Sequence, residues 1–563
     1  MEEKNNLSKS LDYVKEQILL KDIVEKYDYY ENERTSQLSD NRLVKYAIYD
    51  SSIPKINAWD CRVQLPDIYE LAQTLKSHLI QNLYSNPDGM FDVEGVDFET
   101  QKFANKQKAM LVKTFESMKI QDEMEKIIDS VVETGEVTLF VGWETKTRKT
   151  RRAVSLSEQI EKQIADTFVV EDRVVYDNAK VKFINYEDFV FDRTEVDNWD
   201  SCAKIYRTLQ TFDEIKSNKS NNLLNAEKLE MLKGVVAKRT RNSKADIQKN
   251  KIEVLEYWGD IELPSGEVLK NKLIVVAGRS VLIRFEDNPF VINPFIHANI
   301  IESPVTGRGI SPLRVALILN NISSTILNKQ LDALALMMNP PYLAPKGCFK
   351  GEQDVSPGKI IEYDSALMTA PPTPISFDKA MQGWDFLSYF KSTIESATGI
   401  FKNMAGNIQS ADRTATEINY SVNGQEARLN MILEAVNRKV IVPMVEKTAE
   451  IISNFKLGSE SVLTKDRGKV FLVEIDDSVR NSNYIYHYGD RKATFERKSR
   501  LKELFGVIQS FNGISSVAQR IDWIECFKFV MEQYGIENAN NFLTAEYQDE
   551  NAVKSAQGQS ITG

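Results

Sequence analysis

The residues that could do chemistry are few and scattered. Three histidines, His78, His297 and His487, lie far apart, with no HExxH or GxSxG around them. Each reads as a surface or packed histidine rather than a base or a ligand. Gly358-Lys359 and Gly468-Lys469 are followed by Ile360 and Val470, so neither offers the hydroxyl with which a phosphate-binding loop holds Mg²⁺. The adjacent carboxylates Asp476 and Asp477 lack a second acidic motif at metal spacing, which leaves no nuclease site. The four cysteines, Cys61, Cys202, Cys348 and Cys526, form no CxxC pair. That spacing speaks against a zinc site and a secreted disulfide scaffold, and for synthesis in a reducing cytoplasm. These patterns predict no enzyme, no metal and no cofactor.

Charge and hydropathy narrow the classes further. The N-terminal MEEKNNLSKSLDYVKEQ carries acids and no apolar run, unlike a signal peptide. The longest charge-light stretch, 315–328, contains Asn320, Asn321, Ser323, Ser324 and Thr325, and is too short and polar to span a membrane. A net charge of −10 over 563 residues disfavours a tight grip on nucleic acid, though not transient contact.

The elements follow from periodicity. Leu11, Val14, Ile18 and Leu19 suggest an N-terminal packing arm. Pro66 opens a helix with an apolar face of Ile68, Leu71, Leu75, Leu79 and Leu83. Asn86–Gly89 reads as a turn and Met90–Glu94 as a strand. Residues 98–134 form a helical region closed by Gly135, and Val137–Trp143 is a strand. A basic tip follows (Lys146, Arg148, Lys149, Arg151, Arg152), either a solvated hairpin insertion or a contact for phosphate or a partner. Strand-like runs then dominate to residue 300: Val181–Ile184, Phe189–Phe191, Val254–Trp258, Leu273–Val276 and Val281–Phe285. They are interrupted by a charged helix, 222–248, whose Lys228, Lys233, Lys238, Arg239, Arg241 and Lys244 read as a solvated face.

Ser311-Pro312 reads as an N-cap and N1 proline opening a helix of about 28 residues, ~42 Å long. Apolar residues lie all round it, so it requires burial, either in a large core or against copies of itself. Asn339-Pro340-Pro341 stops it, and a loop-rich insertion rich in proline and glycine follows. Helix returns at Lys379–Thr398 with an aromatic cluster. Polar Gly399–Arg413 breaks it, and Thr414-Ala-Thr-Glu417 is a capping box for a helix to Phe455, kinked at Pro443. Val470–Ile475 is a strand, 492–545 is helical, and the tail from Gln548 lacks structure.

Several segments, in this order, resemble the portal (head-to-tail connector) proteins of short-tailed bacteriophages. Trp59 to Pro66 with the helix to Leu83 looks like the family's Trp-to-proline entry helix. Glu133-Thr-Gly-Glu-Val-Thr-Leu-Phe-Val-Gly-Trp143 is similar to the family's helix–GxGxxxVxW strand, with Glu136 in place of the second glycine. Asn185–Asp192 resembles its NPxDFxxDP turn without the prolines. Gly307-Arg-Gly-Ile-Ser-Pro312 through Asn339-Pro-Pro341 resembles its GxGxP…LN…NPP passage, and Pro357–Glu362 its PGxxI strand. Thr414–Glu417 with Arg428 resembles its TATE…R helix start.

The resemblance implies a mainly helical α+β, elongated subunit of a homo-dodecamer at one capsid vertex. Its parts would be a wing (1–310 and 414–491), two stem helices (311–338 and 379–398), a clip (339–378), a tunnel loop (399–413), a crown (492–547) and a disordered tail (548–563). Transient, sequence-independent contact with double-stranded viral DNA would fall to tunnel-loop residues Lys402, Asn403, Asn407, Gln409 and Arg413. Docking of the terminase large subunit, then of adaptor and tail proteins, would fall to clip residues Lys346, Lys350, Glu352, Asp354 and Lys359. Leu319, Ile322, Ile326, Leu331, Trp384 and Phe390 would join neighbouring stems. Major capsid and scaffolding proteins are further implied partners, and a membrane is not. The alternative is another ring-forming virion protein, an adaptor or tail component.

Overall fold

The computed structural model describes residues 13–35, 60–83, 89–153, 168–193, 199–242, 251–303, 308–338, 340, 342–343, 366, 373–374, 384–400, 428–466 and 469–488. The chain is a mixed α+β protein. In order it forms α1 (Tyr13–Thr35), α2 (Asp67–Leu83), β1 (Phe91–Gly95), α3 (Phe98–Met118), α4 (Ile120–Glu133), β2 (Glu136–Ala153) and β3 (Phe168–Ile184). Next come β4 (Phe189–Phe191), β5 (Lys204–Thr211), α5 (Phe212–Ser217), α6 (Ala226–Asn242), β6 (Lys251–Glu262), β7 (Val268–Ala277), β8 (Val281–Asp287) and β9 (Phe295–Asn299). Then follow α7 (Arg314–Met338), β10 (Tyr342–Leu343), β11 (Thr373–Pro374), α8 (Trp384–Thr398), α9 (Val442–Phe455), β12 (Glu460–Asp466), β13 (Lys469–Ile475), α10 (Asp477–Arg480) and β14 (Tyr484–Tyr488).

The chain divides into two compact units, both discontinuous in sequence. The first comprises residues 1–81, 121–142 and 181–440. Its centre is an antiparallel sheet in the order β4-β5-β6-β7-β8. Successive β6 residues point to opposite faces, and both faces are covered. Leu255 and Tyr257 meet Leu19, Ile23, Tyr27 and Tyr30 of α1. Val254 and Trp258 lie on the other side with Leu232 of α6 and Phe295 of β9. Burial on both sides explains the unbroken apolar runs of these strands.

The second unit comprises residues 82–120, 143–180 and 441–563. Here β1 pairs antiparallel with β14, and β12 with β13. The Phe91 ring meets Phe115 of α3 edge-on at 5.6 Å, and Trp143 stacks on Phe455 at 5.6 Å.

Several elements differ from the sequence reading. The helical region 98–134 is two helices, because Lys119 takes a left-handed backbone (φ 55°) between them. The basic residues after Trp143 lie within β2, which runs on to Ala153. Strands β5, β9, β12 and β14 escape the sequence reading. In β5 a lysine masks the apolar run: Lys204 is fully buried, its ammonium donating to the Cys202 carbonyl at 3.0 Å and lying 4.7 Å over the Trp199 ring. Lys228 is no solvated lysine either, since it pairs with Glu16 at 2.7 Å in a largely buried setting.

The long helix α7 starts at Arg314, three positions after Ser311. The Ser311 hydroxyl accepts from the Leu313 N–H and donates to the Val132 carbonyl, so it caps a preceding turn and not the helix. The kink expected at Pro443 takes the form of a π turn, Asn437–Ile441, just before it. Proline cannot donate to the carbonyl four residues back, and the wider turn absorbs that missing bond. Residues 86–88 of the expected turn, the strand within 357–362, the capping box, the helix at 492–545 and the tail lie outside the described residues.

Candidate functional site

The two expected stem helices, α7 and α8, pack against each other within the first unit. The buried side of α7 is polar: Asn320, Ser323, Ser324, Asn328, Gln330 and Asp332 are all buried. The expectation of a helix apolar on every side therefore requires correction: the side it buries within the subunit is polar.

An extended segment of the same chain, 61–65, covers that side. The Leu65 N–H donates to Ser324 Oγ at 3.1 Å, the Val63 N–H to Asn328 Oδ1 at 2.7 Å, and the Cys61 N–H to Asp332 Oδ1 at 2.7 Å. In return Asn328 Nδ2 donates to the Val63 carbonyl at 3.0 Å, and Asn320 Nδ2 to the Leu65 carbonyl at 3.3 Å. Residues spaced by four on the helix thus meet residues spaced by two on the strap. An i, i+4 row lies along one side of a helix, and alternate residues lie along one side of an extended chain. Pro66 ends the strap and accepts the first bond of α2, from Glu70 N–H at 3.1 Å.

The outer side of α7 is apolar. Val315, Ile318 and Ile322 are 57%, 59% and 42% exposed, and Phe386 and Tyr389 of α8 are exposed as well. Of the residues expected between stems, Ile322 is exposed, while Leu319, Ile326, Leu331 and Phe390 are half-buried. Trp384 opens α8. Val315, Ile318, Phe386 and Tyr389 were missing from that set. The i, i+3, i+7 spacing of Val315, Ile318 and Ile322 on α7 is visible in the sequence, but a helix read as apolar on every side singles out no face.

The insertion after α7 and the segment 401–427, which contains most of the expected tunnel loop, are each bracketed by described residues. The insertion after α7 is closed by β10 and β11, where Tyr342 pairs with Pro374 and Leu343 with Thr373. Helix α8 ends at Gly399, whose left-handed backbone (φ 74°) brings its N–H to the Glu395 carbonyl at 2.9 Å. Arg428 returns to the same point and donates to the Ser396 and Ala397 carbonyls at 2.8 and 3.3 Å. A cation on the terminal carbonyls opposes the helix dipole's negative end. Lys391 pairs with Asp67 at 3.4 Å, tying α8 to the start of α2. The clip residues Lys346, Lys350, Glu352, Asp354 and Lys359 and the tunnel-loop residues Lys402, Asn403, Asn407, Gln409 and Arg413 lie outside the described residues.

A third convergence joins two of the sequence motifs. Gly135 closes α4 with a left-handed backbone (φ 73°), and a Cβ there would sit 2.2 Å from the Ile310 carbonyl oxygen. The Gly309 N–H donates to Glu136 Oε1 at 2.9 Å. The glutamate that departs from the family pattern thus holds the passage leading into α7.

Among the described residues, no three His, Cys, Asp or Glu side chains converge as for a metal, and no helix is long and apolar enough to cross a membrane. His297 is packed against Thr138, its Nδ1 3.0 Å from the hydroxyl, and burial pushes its pKa down.

A family model described as the phage SU10 portal protein matches residues 4–559. The chain belongs to the phage SU10 portal protein family. No curated protein matches it. Portal proteins are structural, non-enzymatic virion components: they form an oligomeric ring at the capsid vertex, with DNA and other virion proteins, and connect head to tail during genome packaging and ejection. In this portal protein the strap and the helix it lies on bring together two segments that resemble portal sequences, one ending at Pro66 and the other passing through Asn320.

Proposed function

We propose that this portal protein assembles as a dodecamer whose neighbouring copies cover the apolar outer side of α7. The observation that carries this reading is the exposed row Val315, Ile318 and Ile322 beside Phe386 and Tyr389. These side chains are already about half covered, so burying the remainder contributes on the order of 1 kcal/mol each, and repetition around a closed ring multiplies the gain. Clip residues 339–378 dock the terminase large subunit first and adaptor or tail proteins later. Residues 399–413 line the channel, where Lys402 and Arg413 of every copy make weak, exchangeable contacts with passing phosphates. An acidic chain suits sliding, since each additional fixed cation on phosphate adds affinity that would resist movement.

The wing, stem, clip and crown divisions given above are part of this reading, as are synthesis in the host cytoplasm and incorporation with the major capsid and scaffolding proteins. The ring has no catalytic turnover of its own, and the docked terminase supplies the ATP hydrolysis.

Electron microscopy and light scattering of the purified chain test the central claim. Closed twelve-fold rings are expected; a stable 64.2 kDa monomer at every concentration and salt would overturn it. Steady ATP turnover by a clean preparation would overturn the non-catalytic role.

A further inference from the structure

The second unit carries two exposed patches of opposite charge, each with apolar side chains that its own chain leaves uncovered. The first is the ribbon of β2 and β3. Thr145 donates to Asp177 and Thr150 to the Glu171 carbonyl, so β3 runs back along β2. From Thr145 to Arg151 and from Phe168 to Val175, the described side chains are exposed, except for half-buried Thr150. A two-stranded ribbon bare on both faces is marginal in water. Lys146 pairs with Glu144 at 2.9 Å, and the Arg151 guanidinium lies 4.2 Å over the Phe168 ring. Arg148 and Lys149 have no carboxylate partner among the described residues. Beside these cations β3 exposes Val170, Val174 and Val175 at 65%, 53% and 63%.

The second patch is the outer face of the β12–β13 hairpin. Leu463 and Leu472 stand directly opposite each other in the register, 62% and 65% exposed. Glu474 lies two positions along β13 on the same face, followed by exposed Asp476 and Asp477. Asp477 pairs with Arg480 at 2.9 Å, whereas Glu474 has no cation partner among the described residues. The inner face is Val462, which is buried.

A rotational ring needs a heterologous interface, in which one surface of each copy meets a different surface of the next. We propose that the β2–β3 ribbon of one copy seats on the β12–β13 face of the next. Val170 and Val174, four positions apart and so on one face of β3, cover the leucine pair, and the adjoining cations of β2, Arg148 and Lys149, reach Glu474 and its acidic neighbours. DNA phosphate would answer the cations and leave the valines bare, so a second copy of this chain is the better occupant. This rests on the ring reading but concerns a surface separate from the stem helices.

The test uses the full chain, with ring formation first verified by microscopy. Cysteines are placed pairwise, Val174→Cys or Val170→Cys with Leu472→Cys or Leu463→Cys, and the rings are oxidised mildly. A ladder of covalent multimers on a non-reducing gel, absent from every single variant, is expected. Arg148→Glu with Lys149→Glu should make the rings dissociate at lower salt, and adding Glu474→Lys should restore them. Intact rings that give no ladder with any pair, and whose salt stability the charge reversal leaves unchanged, would overturn the assignment. So would a reversal that spares the rings but abolishes duplex DNA retention, which would give the ribbon to nucleic acid. If the unaltered chain formed no rings, the ring reading and this inference would fall together; rings without a ladder remove this inference alone.

Discussion

Asn328 makes two hydrogen bonds with a single residue of the strap, accepting from the Val63 N–H and donating to its carbonyl. Only an amide supplies both. Asn328→Asp keeps the acceptor and loses the donor, whereas Asn328→Leu loses both and leaves the partly exposed Val63 N–H and carbonyl without their side-chain partner. Full burial of an unpaired group costs about 1–3 kcal/mol, and partial access to water lowers that. Asp332 differs, because the Cys61 N–H needs only an acceptor. Asp332→Asn should therefore be nearly neutral and Asp332→Ala destabilising, by about 1–3 kcal/mol, in urea unfolding followed by a probe in the first unit. An equal loss in both variants would show that Asp332 acts through its charge on Lys329, 3.3 Å away. His297 gives a pH signature. Its pKa is lowered from 6.5 by burial, so the unfolded chain binds the proton more readily than the folded one. The stability it contributes is complete above the unfolded value and is lost as pH falls below about 6.5. A stability profile from pH 7.5 to 5 should slope downward for the natural chain and more shallowly in His297→Gln, where His78, also lowered by burial, still contributes.

At the scale of elements, the sequence made most helices and strands legible and hid the roles of their faces. Helix α2 follows its predicted apolar row closely, with Ile68, Leu75, Leu79 and Leu83 buried, because its partners are other apolar side chains. Helix α7 inverts the rule. Its partner is backbone, and a strap that brings unpaired N–H and C=O groups calls for Asn, Ser and Asp. Nothing local in the sequence announces that residues more than 250 positions away supply it. The stem set was accordingly only partly legible: Ile322 was named, while Val315 and Ile318 were not. Ile318→Asp with Ile322→Asp should leave the subunit folded, with an unchanged far-ultraviolet spectrum, because both side chains already face outward. It should abolish ring formation in sedimentation analysis. Rings of normal size from this variant would move the interface elsewhere.

Across the whole molecule, the segments proposed to meet partners and DNA lie in sequence between anchored residues. A two-residue β10–β11 rung closes one excursion, and Gly399 with Arg428 closes the other. Loop-closure cost rises only about 0.6 kcal/mol for each doubling of length, so anchored excursions can change content with little effect on the body. Lys402→Ala, or deletion of 403–411, should therefore still give rings of normal size while impairing DNA packaging or retention. Unchanged yields of full, infectious particles would remove the loop from the mechanism and leave the ring intact. Deletion of 349–356 should likewise preserve rings and lose terminase docking, measured by co-sedimentation.

The strap on α7 also works as a vernier. Four residues of helix advance about 6.0 Å and two residues of extended chain about 6.6 Å, so each rung slips by roughly half an ångström. Over the rungs from Ser324 to Asp332 that slip stays within hydrogen-bond tolerance; a few more would exceed it. The match therefore has a natural maximum length, and Leu336, the next position in the row, is apolar. Relatives that lengthen or shorten this helix inside the matched stretch must do so in steps of four, with two residues gained or lost between Cys61 and Leu65. Any unpaired change rotates the row by about 100° per residue and turns every rung away from its mate.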